Sequence, residues 1–271
     1  MPACAVHLIS LSSPCTLAQF ITALKSHKDI KPLTIARVVR WIILPSSIST
    51  SELLAQNIHW DLLLILPDTN PLPFSLGSKI AHQFTLQAGI PSRLLSSFAE
   101  KNERLLHPTA PLPELIGSLN KRLFSSSSQD LSLSSSLHKW VATFGQAEGS
   151  GAVSMLNFLA FKPGKKEEYL KYGAEFAKSI GSKRGGDAKL VGTVIRERSG
   201  GNEDRESKSE DAWDEMALAH YPSIHHFADM LASEDYQAVN QKFRVPSLKD
   251  TCILCTTELG IENLGEEKAK L

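Results

Sequence analysis

The hydrophobic pattern between Ala152 and Glu258 changes period in a fixed order: strand, helix, strand, strand, helix, strand. Such a segment has one apolar sheet face and two apolar helix stripes to bury. The compact solution is an antiparallel sheet with both helices on one side, an α+β arrangement. Ala152–Phe161 is an apolar run between Gly151 and Gly164, hence a buried first strand. In Lys165–Ile180, Tyr169, Tyr172, Gly173, Phe176, Ala177 and Ile180 recur every three or four residues, so one helix stripe is buried and Gly181 stops it. Lys189–Arg198 and Trp213–Tyr221 read as the second and third strands, joined by the polar loop Ser199–Asp211. Ser223 is the expected N-cap of a helix with Ile224, Phe227, Ala228 and Leu231 facing inward. A helical turn at Tyr236–Val239 precedes the last strand, Thr251–Thr257.

The first half follows this order more loosely. Ala5–Leu11, Leu33–Leu44 and Trp60–Leu66 read as strands, and Thr16-Leu-Ala-Gln19 opens a helix with a capping box. Ala5-Val6 matches Ala152-Val153, Trp60-Asp61 matches Trp213-Asp214, and Pro67 matches Pro222, at offsets of 147, 153 and 155. Landmarks in one shared order point to an internal duplication. Beyond Pro67 the halves diverge. Leu76–Ala88 and Pro91–Leu106 look helical, and no fourth strand is evident. A serine-rich stretch, Ser125–Ser136, reads as a linker, followed by a short helix at Leu137–Phe144. The expected divisions are therefore 1–124, a linker at 125–151, 152–258, and a polar tail at 259–271.

With 271 residues the chain has room for two domains and a core that needs no disulfide or metal staple. Lys+Arg and Asp+Glu both number 29 and no half is basic, which argues against a nucleic-acid partner. Cys252 and Cys255 sit in a strand, where a spacing of three puts them on opposite faces, so they read as buried thiols. No basic segment precedes an apolar run at the N-terminus, and no apolar stretch approaches the ~18–20 residues of a membrane span. Neither a secretory signal nor a membrane span is expected. The end, Ala269-Lys270-Leu271, is a close variant of the Ser-Lys-Leu peroxisomal address. It suggests import into peroxisomes through the receptor for that signal, with the cytoplasm as the alternative.

Several residues together carry a resemblance. They are the run Met155–Phe161, Tyr169-x-x-Tyr172, Gly185-Gly186, Trp213-Asp214, Tyr221-Pro222-Ser223, Phe227, Tyr236-Gln-Ala, Arg244 and Asp250-Thr251. Over about 100 residues the second half resembles proteins of the dimeric α/β-barrel superfamily, in an uncharacterised-function branch related to EthD-like and antibiotic-biosynthesis-monooxygenase-like proteins and to muconolactone isomerase. Ala160 departs from that pattern, where a basic residue is frequent. The resemblance implies a ferredoxin-like β-α-β-β-α-β fold at 152–258 and a degenerate ferredoxin-like domain at 1–124. The two would be paired as an intrachain pseudo-dimer, with a homodimer as the other arrangement. It also implies a mostly apolar pocket, either between sheet and helices or inside the barrel, walled by Met155, Phe158, Phe161, Phe176 and Phe227.

Within such a pocket the polar candidates are few. Asn157 sits mid-strand among apolar neighbours and suits an oxyanion donor or a satisfied structural amide. His220 suits proton transfer or a structural role. Tyr172 offers a phenol or core packing, Trp213 a wall or plain packing, and Arg244 a carboxylate anchor or a salt bridge. His225 and His226 are adjacent on a helix and cannot share a face, so no metal site is expected. Gly-rich phosphate loops, Gly-x-Ser-x-Gly and His-x-x-x-His do not occur, which disfavours nucleotide enzymes, serine hydrolases and zinc proteases. The expectation is a cofactor-independent enzyme acting on a hydrophobic, oxygenated small molecule by oxygenation, isomerisation or decarboxylation through an enolate. His220 would be its base, Asn157 and Tyr172 its oxyanion donors, and Arg244 its anchor. The alternative is a non-catalytic binding or assembly protein. Haem binding, known among relatives of this fold, would rest on His220 alone.

Overall fold

The computed structural model describes residues 1–121, 124–196 and 212–266. Eight strands close into one antiparallel barrel: β1 (Ala3–Leu11), β2 (Thr34–Ile43), β3 (Leu62–Leu66), β4 (Ile80–Gly89), β5 (Val153–Phe161), β6 (Asp187–Val194), β7 (Glu215–Tyr221) and β8 (Leu248–Thr257). Around the barrel they run β1-β3-β2-β8-β5-β7-β6-β4 and back to β1. Each half thus supplies four strands whose spatial order is fourth, first, third, second. The halves join along two seams. One is β2 against β8; the other is a short β4–β6 contact, where Ala88 faces Val194 and Gly89 faces Thr193.

Ten helices accompany the barrel among the described residues: α1 (Leu17–Ser26), α2 (Thr50–Leu53), α3 (Phe74–Gly77), α4 (Ser92–Ser96), α5 (Phe98–Leu106), α6 (Ser135–Phe144), α7 (Lys166–Glu175), α8 (Ile224–Leu231), α9 (Glu234–Val239) and α10 (Leu259–Glu266). None is long and apolar enough to cross a membrane. The predicted caps form. Thr16 and Gln19 make a reciprocal capping box at α1, and the Ser223 hydroxyl accepts the His226 N–H at α8.

Strand alternation divides the side chains into three apolar groups. One fills the barrel interior, with Val6, Leu8, Leu63, Ile65, Leu156, Phe158, Met216, Leu218 and both Trp60 and Trp213. This is a packed interior, not a channel. Phe158 lies 5.8 Å from both Phe84 and Trp213, so the two halves share one core. The second group lies outside the second half, beneath α7 and α8, and the third outside the first half, beneath α1. Cys252 belongs to the interior and Cys255 to the outer layer, and burial pushes both thiols up.

The Trp-Asp landmarks occupy matching positions. The Asp61 carboxylate accepts the Leu11 N–H at 2.8 Å, and the Asp214 carboxylate accepts the Phe161 N–H at 2.7 Å. The Asp61 N–H donates to Ile9 and the Asp214 N–H to Leu159. The two carbonyls accept from Val38 and Val194.

One expected element is corrected. Leu76–Ala88 does not form a helix beyond the turn α3; most of it is β4, the missing fourth strand. Ile80, Phe84 and Ala88 recur every four residues and mimic a helical stripe. From Phe84 to Ala88 the same residues also alternate, and a nine-residue register with β1 decides in favour of the strand. The helix expected over Pro91–Leu106 is broken at Ser97 into α4 and α5. The Ser199–Asp211 loop and Ala269–Leu271 lie outside the described residues.

Candidate active site

The matching landmarks align β3 with β7, and the comparison shows where space opens. After Trp60-Asp61 the outward residues of β3 are Leu62, Leu64 and Leu66, all buried against α1 and its surroundings. After Trp213-Asp214 the outward residues of β7 are Glu215, Ala217 and Ala219. The inward residues are of similar bulk, Leu63 and Ile65 against Met216 and Leu218. Two alanines in place of leucines, facing Gly173, Ala174 and Ala177 of α7 and its continuation, leave a cavity of about 570 Å³ between sheet and helix. Met155, Val191, Phe176, Phe227, Leu170 and Ile253 complete its apolar wall.

Few polar groups enter this wall. Asn157 pairs across the ladder with Ala217 and projects from the same face as Glu215, two residues along β7. Its amide nitrogen donates to the Met155 carbonyl at 2.9 Å. Glu215 is 7% exposed. Burial raises its carboxyl pKa, and Lys166, 3.3 Å away at the start of α7, partly offsets the shift. Lys101 and Asp187, both lining the cavity, form an ion pair of 2.5 Å.

Tyr169, Tyr172 and Tyr221 form an aromatic flank. The Tyr169 and Tyr172 rings are 5.4 Å apart, and the Tyr172 and Tyr236 hydroxyls are 3.3 Å apart. Burial raises the pKa of all four phenols. They stay protonated at neutral pH and act as donors. Arg244 does not line the cavity. It is 2% exposed, donates to the Thr251 hydroxyl at 3.3 Å and borders a separate pocket with Asp130 and Asp250. Two π-helical turns, Phe176–Ile180 and Asn240–Arg244, extend α7 and α9; the first lines the cavity through Phe176 and Ala177, a local geometry frequent at functional sites.

The structure thus brings together Asn157, Tyr172, Met155, Phe176 and Phe227, and leaves His220, Phe158, Phe161, Trp213 and Arg244 off the cavity lining. His220 pairs with Ser154 in the β5–β7 ladder, so it shares the inward face with Leu156 and Phe158, opposite Asn157. It is 2% exposed, and its Nδ1 has no partner. Burial first, then the nearby Lys189, His226 and Lys101, lower its pKa to about 3. His220 therefore cannot be the base of this cavity, nor offer it a haem ligand. Phe158 and Trp213 face inward for the same reason and belong to the barrel core. Phe161 packs on Tyr169 at 5.0 Å. His226 is held between the Ser223 hydroxyl and the Pro113 carbonyl. No group of three or more His, Cys, Asp or Glu side chains converges as metal ligands among the described residues.

Sequence reasoning missed Glu215 and Tyr169. A signal was available for Glu215. In Glu215-Met-Ala-Leu-Ala-His-Tyr221 the strand alternates large with small, and the small row carries a carboxylate. A sheet face of that kind, set under a helix, has both space and charge.

No family model matches the chain, and no curated protein matches it. Among solved structures it is similar to the RPA0582 protein of Rhodopseudomonas palustris, described as of unknown function. The identity is 20% over 43% of this chain and 89% of that one, with a TM-score of 0.31. The methylated form of the RPA0582 protein gives 21% identity, the same coverage and the same TM-score.

Proposed function

We propose that the chain is a cofactor-independent enzyme that binds a hydrophobic, oxygenated small molecule in the cavity outside β5, β6 and β7 and forms its enolate there. The observation that carries this reading is Glu215, a carboxylate buried in a largely apolar cavity beside an amide and a phenol. Desolvation brings a carboxylate closer to the basicity that removing a proton from carbon requires. Glu215 takes the proton next to the substrate carbonyl, the electron pair moves to the carbonyl oxygen, and Tyr169 and Asn157 are the donors within reach of that oxygen. Isomerisation returns the proton to another carbon; oxygenation continues with dioxygen as co-reactant. Decarboxylation reaches the same enolate by losing carbon dioxide.

The test is proton exchange. Aromatic polyketide-like acids and ketones are incubated with the protein in heavy water, and exchange next to the carbonyl is followed by NMR. Glu215→Gln should slow it by roughly 10²–10⁴-fold, the usual range for a general base. Binding without exchange in the unsubstituted protein would favour a non-catalytic binding protein, the reading that the Lys166–Glu215 ion pair supports.

The fourth-first-third-second strand order in both halves and the matched Asp61 and Asp214 bonds support a duplicated ferredoxin-like unit folded as an intrachain pseudo-dimer of the dimeric α/β-barrel type. A link to EthD-like or monooxygenase-like proteins rests on the sequence resemblance. Peroxisomal import rests on Ala269-Lys270-Leu271.

A further inference from the structure

Ala188 and Val191 of β6 line the main cavity, and the same two residues line a second space of about 350 Å³. That space lies at the β4–β6 seam, where Gly89 pairs with Thr193, and its far wall is the start of α4. Ala188 is exposed and Val191 half-buried, so the strand common to the two spaces is an open floor and not a filled partition. Most of the second lining is apolar, with Met1, Pro91 and Leu94 beside the two β6 residues, and its charged side chain is Arg93. Arg93 is exposed. None of the ion pairs among the described residues includes it, and the hydrogen bonds made to it by Ser96 and Ser97 end on its backbone carbonyl. The charged groups of the main cavity are already matched, Glu215 with Lys166 and Asp187 with Lys101. Arg93 is therefore the cation left to meet an incoming anion.

We infer that the two spaces form one elongated site crossing β6, which takes an apolar chain with a carbonyl near Glu215 and a carboxylate at Arg93: an oxo-carboxylic acid of medium length, not a compact neutral molecule. The inference rests on the reading of the main cavity as a small-molecule site. The ladders give the line of the site. Thr193 sits opposite Glu215 on β7 and opposite Gly89 on β4. Glu215 is thus two strand spacings from β4, about 10 Å at about 4.8 Å per spacing. Arg93 follows Gly89 by four residues, so a chain reaching it from Glu215 crosses β6 at right angles. The apolar floor supplies most of the affinity, since burying one methylene group tightens binding by roughly fourfold. The Arg93 contact supplies direction. An exposed ion pair adds only about two- to fivefold. A chain entering the other way round would bring its carboxylate to that of Glu215 in a poorly hydrated space, where like charges disfavour each other.

The probes are butanoate, hexanoate and octanoate, with octanol as the uncharged chain and nitrobenzene as a compact neutral ligand of the main cavity alone. Calorimetric titration into the full chain reads Kd. Binding should tighten from butanoate to octanoate, by up to about fourfold for each added methylene group. Thr193 lines the second space and not the first. Thr193→Trp should therefore cancel most of that gain and leave nitrobenzene binding unchanged. Arg93→Gln should weaken octanoate by about two- to fivefold and leave octanol and nitrobenzene as they are, and Arg93→Lys should keep part of the octanoate contact. Both positions are exposed, so the variants keep the fold. If nitrobenzene binds but chain length makes no difference, or if octanoate binds Thr193→Trp and Arg93→Gln as tightly as the unsubstituted chain, the inference is wrong while the cavity reading stands. If no probe binds the unsubstituted chain, both fail.

Discussion

Ala219→Leu would put into the second half the residue that the first half carries at the matching place, Leu66. Leu66 is 4% exposed and packs beneath α1. Ala219 sits between Met155 of β5 and Ala188 of β6 and lines the cavity. A leucine there adds three carbon groups to a space of about 570 Å³. Full burial of three such groups stabilises by about 2–2.5 kcal/mol. Fixing the new side chain costs about 0.5–1 kcal/mol. Part of the cavity opens to solvent beside the exposed Leu170, so a net gain of about 1 kcal/mol is expected. Urea unfolding reads it, with fluorescence from Trp60 and Trp213 in the barrel interior reporting loss of the core. The same substitution should abolish nitrobenzene binding. A gain in stability with a loss of binding is the signature of a cavity kept open for a ligand. Had the space been filled by neighbouring side chains in solution, the leucine would overpack it and cost about 1–3 kcal/mol. A loss of that size would refute the cavity.

Three further outcomes follow from particular residues. His220 has a folded-state pKa of about 3, against 6.5 for an ordinary histidine, so the unfolded chain takes up the proton first as pH falls. Its stabilising contribution is complete above about pH 6.5 and is lost as the pH falls towards about 3; His220→Leu should flatten the stability curve in that window by up to about 1.4 kcal/mol per pH unit, leaving nitrobenzene binding intact. Lys189 is fully buried, with Asn102 accepting at 2.7 Å and Glu258 as its ion-pair partner. Lys189→Met should cost about 3–5 kcal/mol in urea unfolding and the double change with Glu258→Leu much less, because the single change strands a buried carboxylate. Deleting Ala269–Leu271 from a fluorescent N-terminal fusion should turn a punctate peroxisomal pattern into a diffuse one, and puncta that persist would end the peroxisomal reading.

Elements with a local signal are legible in the chain alone. The capping residues Thr16 and Ser223, the apolar run of β5 and the stripe of α7 each contain within a dozen residues the information that forms them. The Trp-Asp pairs were legible for the same reason, and their bonds to Leu11 and Phe161 span one strand–helix–strand unit. What the sequence left open was everything that depends on a partner strand. Ile80–Gly89 satisfies a helical and a strand period at once, and β1 alone decides between them. Asn157 and His220 each alternate correctly within their own strands. Whether they meet is a matter of register, and pairing His220 with Ser154 turns it to the opposite face from Asn157. The separation of Phe158 and Trp213 from the cavity wall follows from the same cause. A side-chain period of two fixes which residues share a face, and only the tertiary pairing fixes which face is covered, filled or left open.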